Sequence, residues 1–198
     1  MGAFKPLLPF GKKTVIESCI DYLQASGIDT VVAVVGRGRD QLCDKLKTKS
    51  ILTVENPDPE SQMGHSIACG IKALPASIEA AVIALVDHPA VSPQVVQQLI
   101  GEWKKGAQLI VPTWQGVGGH PVLVDLRFRA DLLNLPVEGG LKSLFRKHGG
   151  AVRRLPVDSP FIARDMDTWD DYTRLYWDVF GEQPPTRGES NERPPPTI

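Results

Sequence analysis

Apolar positions recur along the chain in two alternating patterns. Over 14–25, Val15, Ile16, Cys19, Ile20 and Leu23 share one helical face, Thr14 and Glu17 have the spacing of a capping box, and Gly27 follows as a stop. The next run, 30–35, is mostly β-branched and ends at Gly36, which predicts a strand buried on both faces. The alternation continues with helices over 40–47, 66–74 and 93–105 and strands over 51–54, 80–86 and 109–111. Apolar strands joined by helices need crossover connections, so the pattern predicts a doubly wound α/β domain with a mostly parallel sheet covered on both sides.

After Pro112 the rhythm loosens. A Gly-rich turn at Gly116, Gly118 and Gly119 leads to a strand over 121–124, helices over 129–135 and 141–148, a strand over 152–155 and a last helix over 168–179. The segment from the Gly-rich turn onward reads as an inserted lobe. The chain is expected to form one domain over 1–180, followed by a Pro-rich, polar tail over 181–198 that has too few apolar residues to offset the entropy of ordering. A doubly wound sheet normally opens with a strand and a Gly-rich turn before its first helix, yet only 1–13, with two prolines, precede that helix here. If the missing strand is central, two ladders of hydrogen bonds go with it.

Charge and composition narrow the function. A net charge of -1 leaves no overall field for nucleic acid or an anionic membrane, so phosphate binding must be local. Apolar runs are too short to span a bilayer and no signal peptide is recognisable, which makes the cytoplasm the expected compartment. Cys19, Cys43 and Cys69 form no C-x-x-C pair and are read as packed thiols.

Several residues are placed to carry chemistry. Asp87, in Ala-Leu-Val-Asp-His-Pro, follows an apolar strand at the carboxyl edge, where open sheets bind ligands, and its hard oxygens suit Mg²⁺ held against nucleotide phosphates. A turn Asp bonding the local backbone is the alternative. Asp167 precedes the last helix, where either it or Thr168 could simply act as a cap. Lys5 lies in a stretch too rich in proline for a helix and could meet a triphosphate, or be merely solvated. Asn56 opens a loop into a helix whose first amides, with Ser66, could face sugar or phosphate; Ser66 could equally only cap. His120 follows Gly119 in Gly-His-Pro, either leaning toward a substrate or shaping a turn. The histidines, His65 and His88 included, lack the spacing of a helical zinc site, and neither a Walker loop nor a Ser nucleophile elbow occurs.

Taken together and in order, M-G-A-F-K-P-L-L-P-F, Asn56-Pro57, Met63, Ser66, Gly70, Leu-Val-Asp-His-Pro, Gly-His-Pro and Asp-Met-Asp-Thr resemble the MobA-like nucleotidyltransferases, with the molybdenum cofactor cytidylyltransferase branch as the nearest match. The resemblance spans 1–179. It implies a Rossmann-like fold of the nucleotide-diphospho-sugar transferase type with a small acceptor-side lobe. It further implies Mg²⁺-dependent transfer of a nucleoside monophosphate, CMP from CTP, to the phosphate of molybdopterin cofactor with release of pyrophosphate. Lys5, Asp87 and Asp167 match the catalytic residues, and Asp87 and Asp167 the metal carboxylates. Gly2, Lys5, Asn56, Ser66 and Asp87 match the nucleotide side, and Gly119 and His120 the acceptor side. The resemblance also implies a molybdoenzyme as a further partner, and neither nucleic acid nor a membrane is expected as one.

The chain also departs from the family. The family's opening strand and L-x-A-G-x-S-x-R loop would precede Met1, His88 stands where Gln is usual, and Gln62 where Gly often precedes Met63. Without that loop the base and phosphate cradle is missing, which puts the activity of the chain in question. The alternatives are therefore a guanylyl- or sugar-phosphate nucleotidyltransferase, or a catalytically impaired relative that binds cofactor as a maturation chaperone.

Overall fold

A computed structural model describes residues 4–36, 39–47, 49–58 and 62–185. In chain order the elements are β1 (Pro9–Phe10), β2 (Lys13–Thr14), α1 (Val15–Ala25), β3 (Val32–Val35), α2 (Arg39–Leu46), β4 (Leu52–Glu55), α3 (Met63–Ala73), β5 (Ala80–Ile83) and α4 (Pro93–Lys104). Then follow β6 (Leu109–Trp114), β7 (Val117–Gly118), β8 (Val122–Asp125), α5 (Arg129–Leu133), α6 (Gly140–Lys147), β9 (Val152–Pro156) and α7 (Trp169–Phe180).

The α/β class and the helix positions agree with the pattern of the sequence. Thr14 N–H and Oγ1–H donate to the Glu17 carboxylate at 2.8 and 2.7 Å, which anchors the first turn of α1. Thr168 does the same for α7: its Oγ1 accepts Asp171 N–H while Asp171 accepts Thr168 N–H, at 3.1 and 2.8 Å. Arg129 closes the other end of a helix. Its guanidinium donates to the carbonyls of Ile71, Leu74 and Pro75, at and just beyond the last turn of α3.

β6 is the centre of the larger sheet. β8 and β7 pair with one edge of it antiparallel, β9 pairs with the other edge parallel, and β5 lies outside β8. Since β5 and β6 are both antiparallel to β8, they run the same way, and β9 joins them. The strand expected over 121–124 is thus the reversed member of the sheet. Its alternate side chains serve both faces: Val122 and Val124 pack with Leu109 against Ile67, Leu132, Leu141 and Leu144, whereas Leu123 packs with Ile110 and Leu99. The helices α3, α5 and α6 cover the first face and α4 the second, so the expected lobe is a helical cover on the main sheet.

β3 and β4 form a separate parallel pair. The expectation that β3 is buried on both faces is corrected: only Val35 is fully buried, and Val32, Ala33 and Val34 border a groove of about 700 Å³ whose other bank is β5. The reason is that β5 and β3 are not hydrogen bonded to each other, so each offers an edge. Of the Pro-rich segment, residues 181–185 are described and Pro184 is buried; 186–198 lie outside the described residues.

Candidate active site

β5 ends at Ile83, three residues earlier than its apolar pattern predicts, because the chain turns there: His88 N–H donates to Leu85 C=O at 3.2 Å. Asp87 therefore sits on a turn beyond the strand. Its neighbour Val86 packs with Leu8, Phe10, Val15 and Met166. That cluster also contains Tyr172, whose hydroxyl donates to Pro9 C=O at 2.6 Å and ties α7 to the N-terminal hairpin. The packing thus brings the segments that carry Lys5, Asp87 and Asp167 to one apolar cluster.

Their side chains are in different situations. Lys5 Nζ donates to Asp167 Oδ1 at 2.7 Å, with the lysine 28% and the aspartate 67% exposed. Thr168, not Asp167, supplies the cap of α7, which leaves the Asp167 carboxylate to the lysine. Asp87 is 26% exposed and its Oδ1 is buried with no hydrogen-bond partner; His88 Nε2 is 3.7 Å away, too long for one.

Behind Asp87 lies a buried polar patch. Cys19 Sγ reaches the carbonyls of Leu85 and Val86 at 3.9 and 3.7 Å, and Tyr22 keeps a buried hydroxyl without a partner. Burial first, then the Asp87 charge, push the Cys19 thiol up, and burial with Cys19 and Asp87 does the same to Tyr22. Tyr22 stands three residues after Cys19 and seven after Val15, a spacing that places it on their helical face beyond the five residues that the apolar pattern marks.

His120 faces the same corner. Its ring lies 5.6 Å from that of His88. Burial, then the neighbouring His88, hold its pKa below the usual histidine value, against a hydrogen bond to the Ile83 backbone and the Asp87 charge. Its Nδ1 is buried and unpartnered. The loop before it is pinned, since His120 N–H donates to Ile162 C=O at 2.8 Å and a Cβ on Gly119 would stand 2.0 Å from that same oxygen. Gly119 is thus required by close backbone approach.

Asn56 and Ser66 also meet. Asn56 is buried, its Nδ2 donates to Ser66 Oγ at 2.9 Å, and its Oδ1 accepts Asp58 N–H at 3.1 Å. Because α3 begins at Met63, three residues earlier than expected, Ser66 lies inside the helix and is not its cap. Ser66 and Val86 both line the groove between β3 and β5. Gly2 lies outside the described residues. His65 is exposed and joins none of these groups.

No group of three or more His, Cys, Asp or Glu among the described residues is arranged to hold a metal ion. A cation at this corner would be one that takes a carboxylate or two plus ligand oxygens, and the orphaned Asp87 Oδ1 suits it.

The comparisons with known proteins agree with this architecture. The nicotine blue oxidoreductase of Paenarthrobacter nicotinovorans is 24% identical over 179 residues, 86% of this chain and 87% of that one. A Mycobacterium tuberculosis structure superposes with a TM-score of 0.78 at 25% identity, covering 89% of this chain and 90% of that one; the same protein has been solved in complex with manganese. The molybdopterin-guanine dinucleotide biosynthesis protein A of Archaeoglobus fulgidus superposes at 0.64 with 20% identity, covering 88% and 90%, which shows a shared fold. No helix among the described residues is long and apolar enough to cross a membrane. The family description "MobA-like NTP transferase domain" matches residues 1–152, most of the chain, and with this fold and this corner the chain belongs to the MobA-like nucleotidyltransferases.

Proposed function

We propose that the chain transfers CMP from CTP to the terminal phosphate of molybdopterin cofactor, with Mg²⁺ as the metal and pyrophosphate as the second product. The observation that carries this reading is the Asp87 carboxylate, beyond the carboxyl end of β5, with a buried oxygen that nothing in the protein satisfies. A buried acceptor without a partner costs stability, and a divalent cation would satisfy it. The manganese bound to the mycobacterial relative supports a divalent ion here. When bound, such an ion would draw charge from the phosphate oxygens around the reacting phosphorus.

The chain's own residues divide the remaining work. The Lys5 ammonium has three donors; Asp167 takes one and orients the group, which leaves two for phosphate oxygens. Asp167 keeps a second oxygen exposed for solvent or metal. Asn56 and Ser66, joined to each other, form the nucleotide side, and Gly2 belongs to it by resemblance. On the acceptor side Gly119 fixes the loop and His120 offers a neutral ring nitrogen. In the reaction an acceptor phosphate oxygen bonds to the α-phosphorus as the bond to pyrophosphate breaks. That oxygen is already ionised at neutral pH, so orientation and charge neutralisation suffice without a general base.

The cytidine base rests on the M-G-A-F-K-P-L-L-P-F and Gly-His-Pro motifs, and the acceptor on those motifs together with the fold shared with the Archaeoglobus protein. Pyrophosphate release measured with CTP, GTP, ATP and UTP, Mg²⁺ and molybdopterin cofactor tests it. CTP is expected to react fastest. A preference for GTP would move the chain to guanylyl transfer, and no release with any nucleotide despite cofactor binding would favour the chaperone reading.

A further inference from the structure

The buried histidines beside Asp87 carry hydrogen-bonding capacity that the proposed transfer leaves unused. Among the described residues, the buried side-chain nitrogen and oxygen atoms without a partner are the Tyr22 hydroxyl, Asp87 Oδ1, His88 Nδ1 and His120 Nδ1. They are gathered at one corner: His88 follows Asp87, its ring lies 5.6 Å from that of His120, and the Asp87 charge acts on Tyr22. Buried polar groups are ordinarily hydrogen bonded, so exceptions gathered in one place are a mark of function.

His88 is the member whose placement packing does not explain. Its side chain is 8% exposed, and its Nε2 stands 3.7 Å from Asp87 Oδ1. The turn that His88 N–H closes on Leu85 C=O holds the two side chains beyond the end of β5. A gap of 3.7 Å is too wide for a hydrogen bond, yet it lies within the roughly 4 Å that two metal–ligand bonds of about 2.0–2.2 Å span. Asp87 is 26% exposed, so the pair borders solvent. The tautomers fit the same role. His120 donates to the Ile83 backbone, and because its Nδ1 is the unpartnered nitrogen, Nε2 carries the proton and Nδ1 is an acceptor. A histidine that gives Nε2 to a metal carries its own proton on Nδ1 and needs an acceptor for it. The neighbouring His120 Nδ1 is that complement, within reach of His88 through one bridging solvent molecule. Cys19 is no third ligand, because metals take thiolates and its thiol is turned to the carbonyls of Leu85 and Val86.

We propose that His88 Nε2 joins Asp87 Oδ1 as a nitrogen ligand of the cation site, and that the site therefore binds a first-row divalent transition ion such as Mn²⁺ more tightly than Mg²⁺. The inference rests on the reading of Asp87 as a cation ligand and deepens it by naming a second donor and the class of ion. Mg²⁺ is a hard ion that takes oxygen ligands and keeps its waters, so an imidazole adds little to its binding. Transition ions of the same charge accept imidazole nitrogen, so the same residue adds affinity for them. Asp87 alone would hold either ion; His88 separates them.

The test uses the full chain with manganese and magnesium chloride alone and no nucleotide. Mn²⁺ binding is followed by loss of the free-ion EPR signal, and Mg²⁺ binding by competition with Mn²⁺. The parent is expected to prefer Mn²⁺ by about tenfold or more. His88→Gln, which offers an amide oxygen in place of the imidazole, is expected to lose about tenfold in Mn²⁺ affinity while its Mg²⁺ affinity changes less than about twofold. Pulsed EPR of the bound Mn²⁺ should show hyperfine coupling to a directly bound nitrogen in the parent and none in His88→Gln. Equal affinity of the parent for the two ions overturns the selectivity. Mn²⁺ binding that Asp87→Asn weakens, but that shows no nitrogen coupling in the parent, overturns His88 as a ligand and leaves the Asp87 reading standing. Binding that Asp87→Asn leaves unchanged, or no binding at all, overturns both. Coupling that survives His88→Gln and vanishes in His120→Asn overturns the proposal by giving the nitrogen to His120. Should His88→Gln fail to fold, the parent spectrum still decides whether a nitrogen is bound, and His88→Asn takes over the assignment: coupling lost supports His88, and coupling kept overturns it.

Discussion

The corners around Asp87 and Asp167 hold the same functional group in opposite circumstances. The Asp87 carboxylate sits over a buried patch of Cys19 and Tyr22 with an oxygen that no donor reaches, whereas the Asp167 carboxylate stands in solvent and already grips Lys5. A buried carboxylate oxygen that no donor reaches costs stability and persists where something outside the protein completes it. An exposed ion pair is cheap and contributes little to stability. The difference teaches that the two residues need not share one role: in the function proposed above, Asp87 would receive a cation and Asp167 would position a lysine.

The largest expected effect lies on the Asp87 side. Asp87→Asn keeps the shape and removes the charge, so kcat for pyrophosphate release is expected to fall about 10²–10³-fold. The melting temperature should stay within about 2 °C or rise, since no partner inside the protein is lost. A variant that melts several degrees lower while retaining its activity would make Asp87 a structural turn residue.

Gly119→Ala tests the loop that brings His120 to that corner. The new Cβ would stand 2.0 Å from Ile162 O, so the 3-10 turn at Pro160–Ala163 must move. A loss of about 1–3 kcal/mol is expected in denaturant melts. Gly101→Ala in α4, where a Cβ meets nothing within 4 Å, should instead be neutral or stabilising by about 0.4–1 kcal/mol. Equal effects at the two positions would mean that the Gly119 loop yields freely.

On the Asp167 side the effects are smaller and sharpen the contrast. Asp167→Asn is expected to raise KM for the nucleotide about 3–10-fold, with less than about 1 kcal/mol lost from stability. If Asp167 acts through Lys5, adding Asp167→Asn to Lys5→Met changes nothing further. A fall in kcat as deep as that of Asp87→Asn would instead make Asp167 a metal ligand in its own right, and the contrast between the corners would dissolve.

How much of this was readable before the fold was known varies with the physics of each feature. Helices α1 and α7 announce themselves because the capping pairs Thr14–Glu17 and Thr168–Asp171 and their apolar faces are local signals. The direction of β8 was not readable, since an apolar run has no polarity and only the pairing with β5 and β6 sets it. The end of β5 at Ile83 is not legible in the sequence, because Ala84, Leu85 and Val86 are as apolar in the turn as in a strand. The contact of Lys5 with Asp167 spans 162 positions in sequence and was approachable only through family motifs. The choice between Asp167 and Thr168 as cap of α7 needed coordinates, as both residues suit that place.

A third carboxylate calibrates the other two. Asp131 of α5 accepts Lys147 Nζ at 2.6 Å and lies 3.1 Å from His148 Nε2, so both oxygens are satisfied within the protein. Lys147 first, then His148, hold its pKa below the ordinary 3.8. A carboxyl whose pKa is lower in the folded than in the unfolded chain binds fewer protons when folded. Its stabilisation is therefore present above 3.8 and disappears as the pH falls through the folded value. Asp131→Asn should then be less stable than the parent near neutrality by less than about 1 kcal/mol, because the pair is partly solvent-screened. The two melting curves should converge in acid and the variant should keep full activity. A gap that persists in acid would mean that Asp131 acts by packing between α5 and α6, and would remove it as the internally satisfied standard for the Asp87 corner.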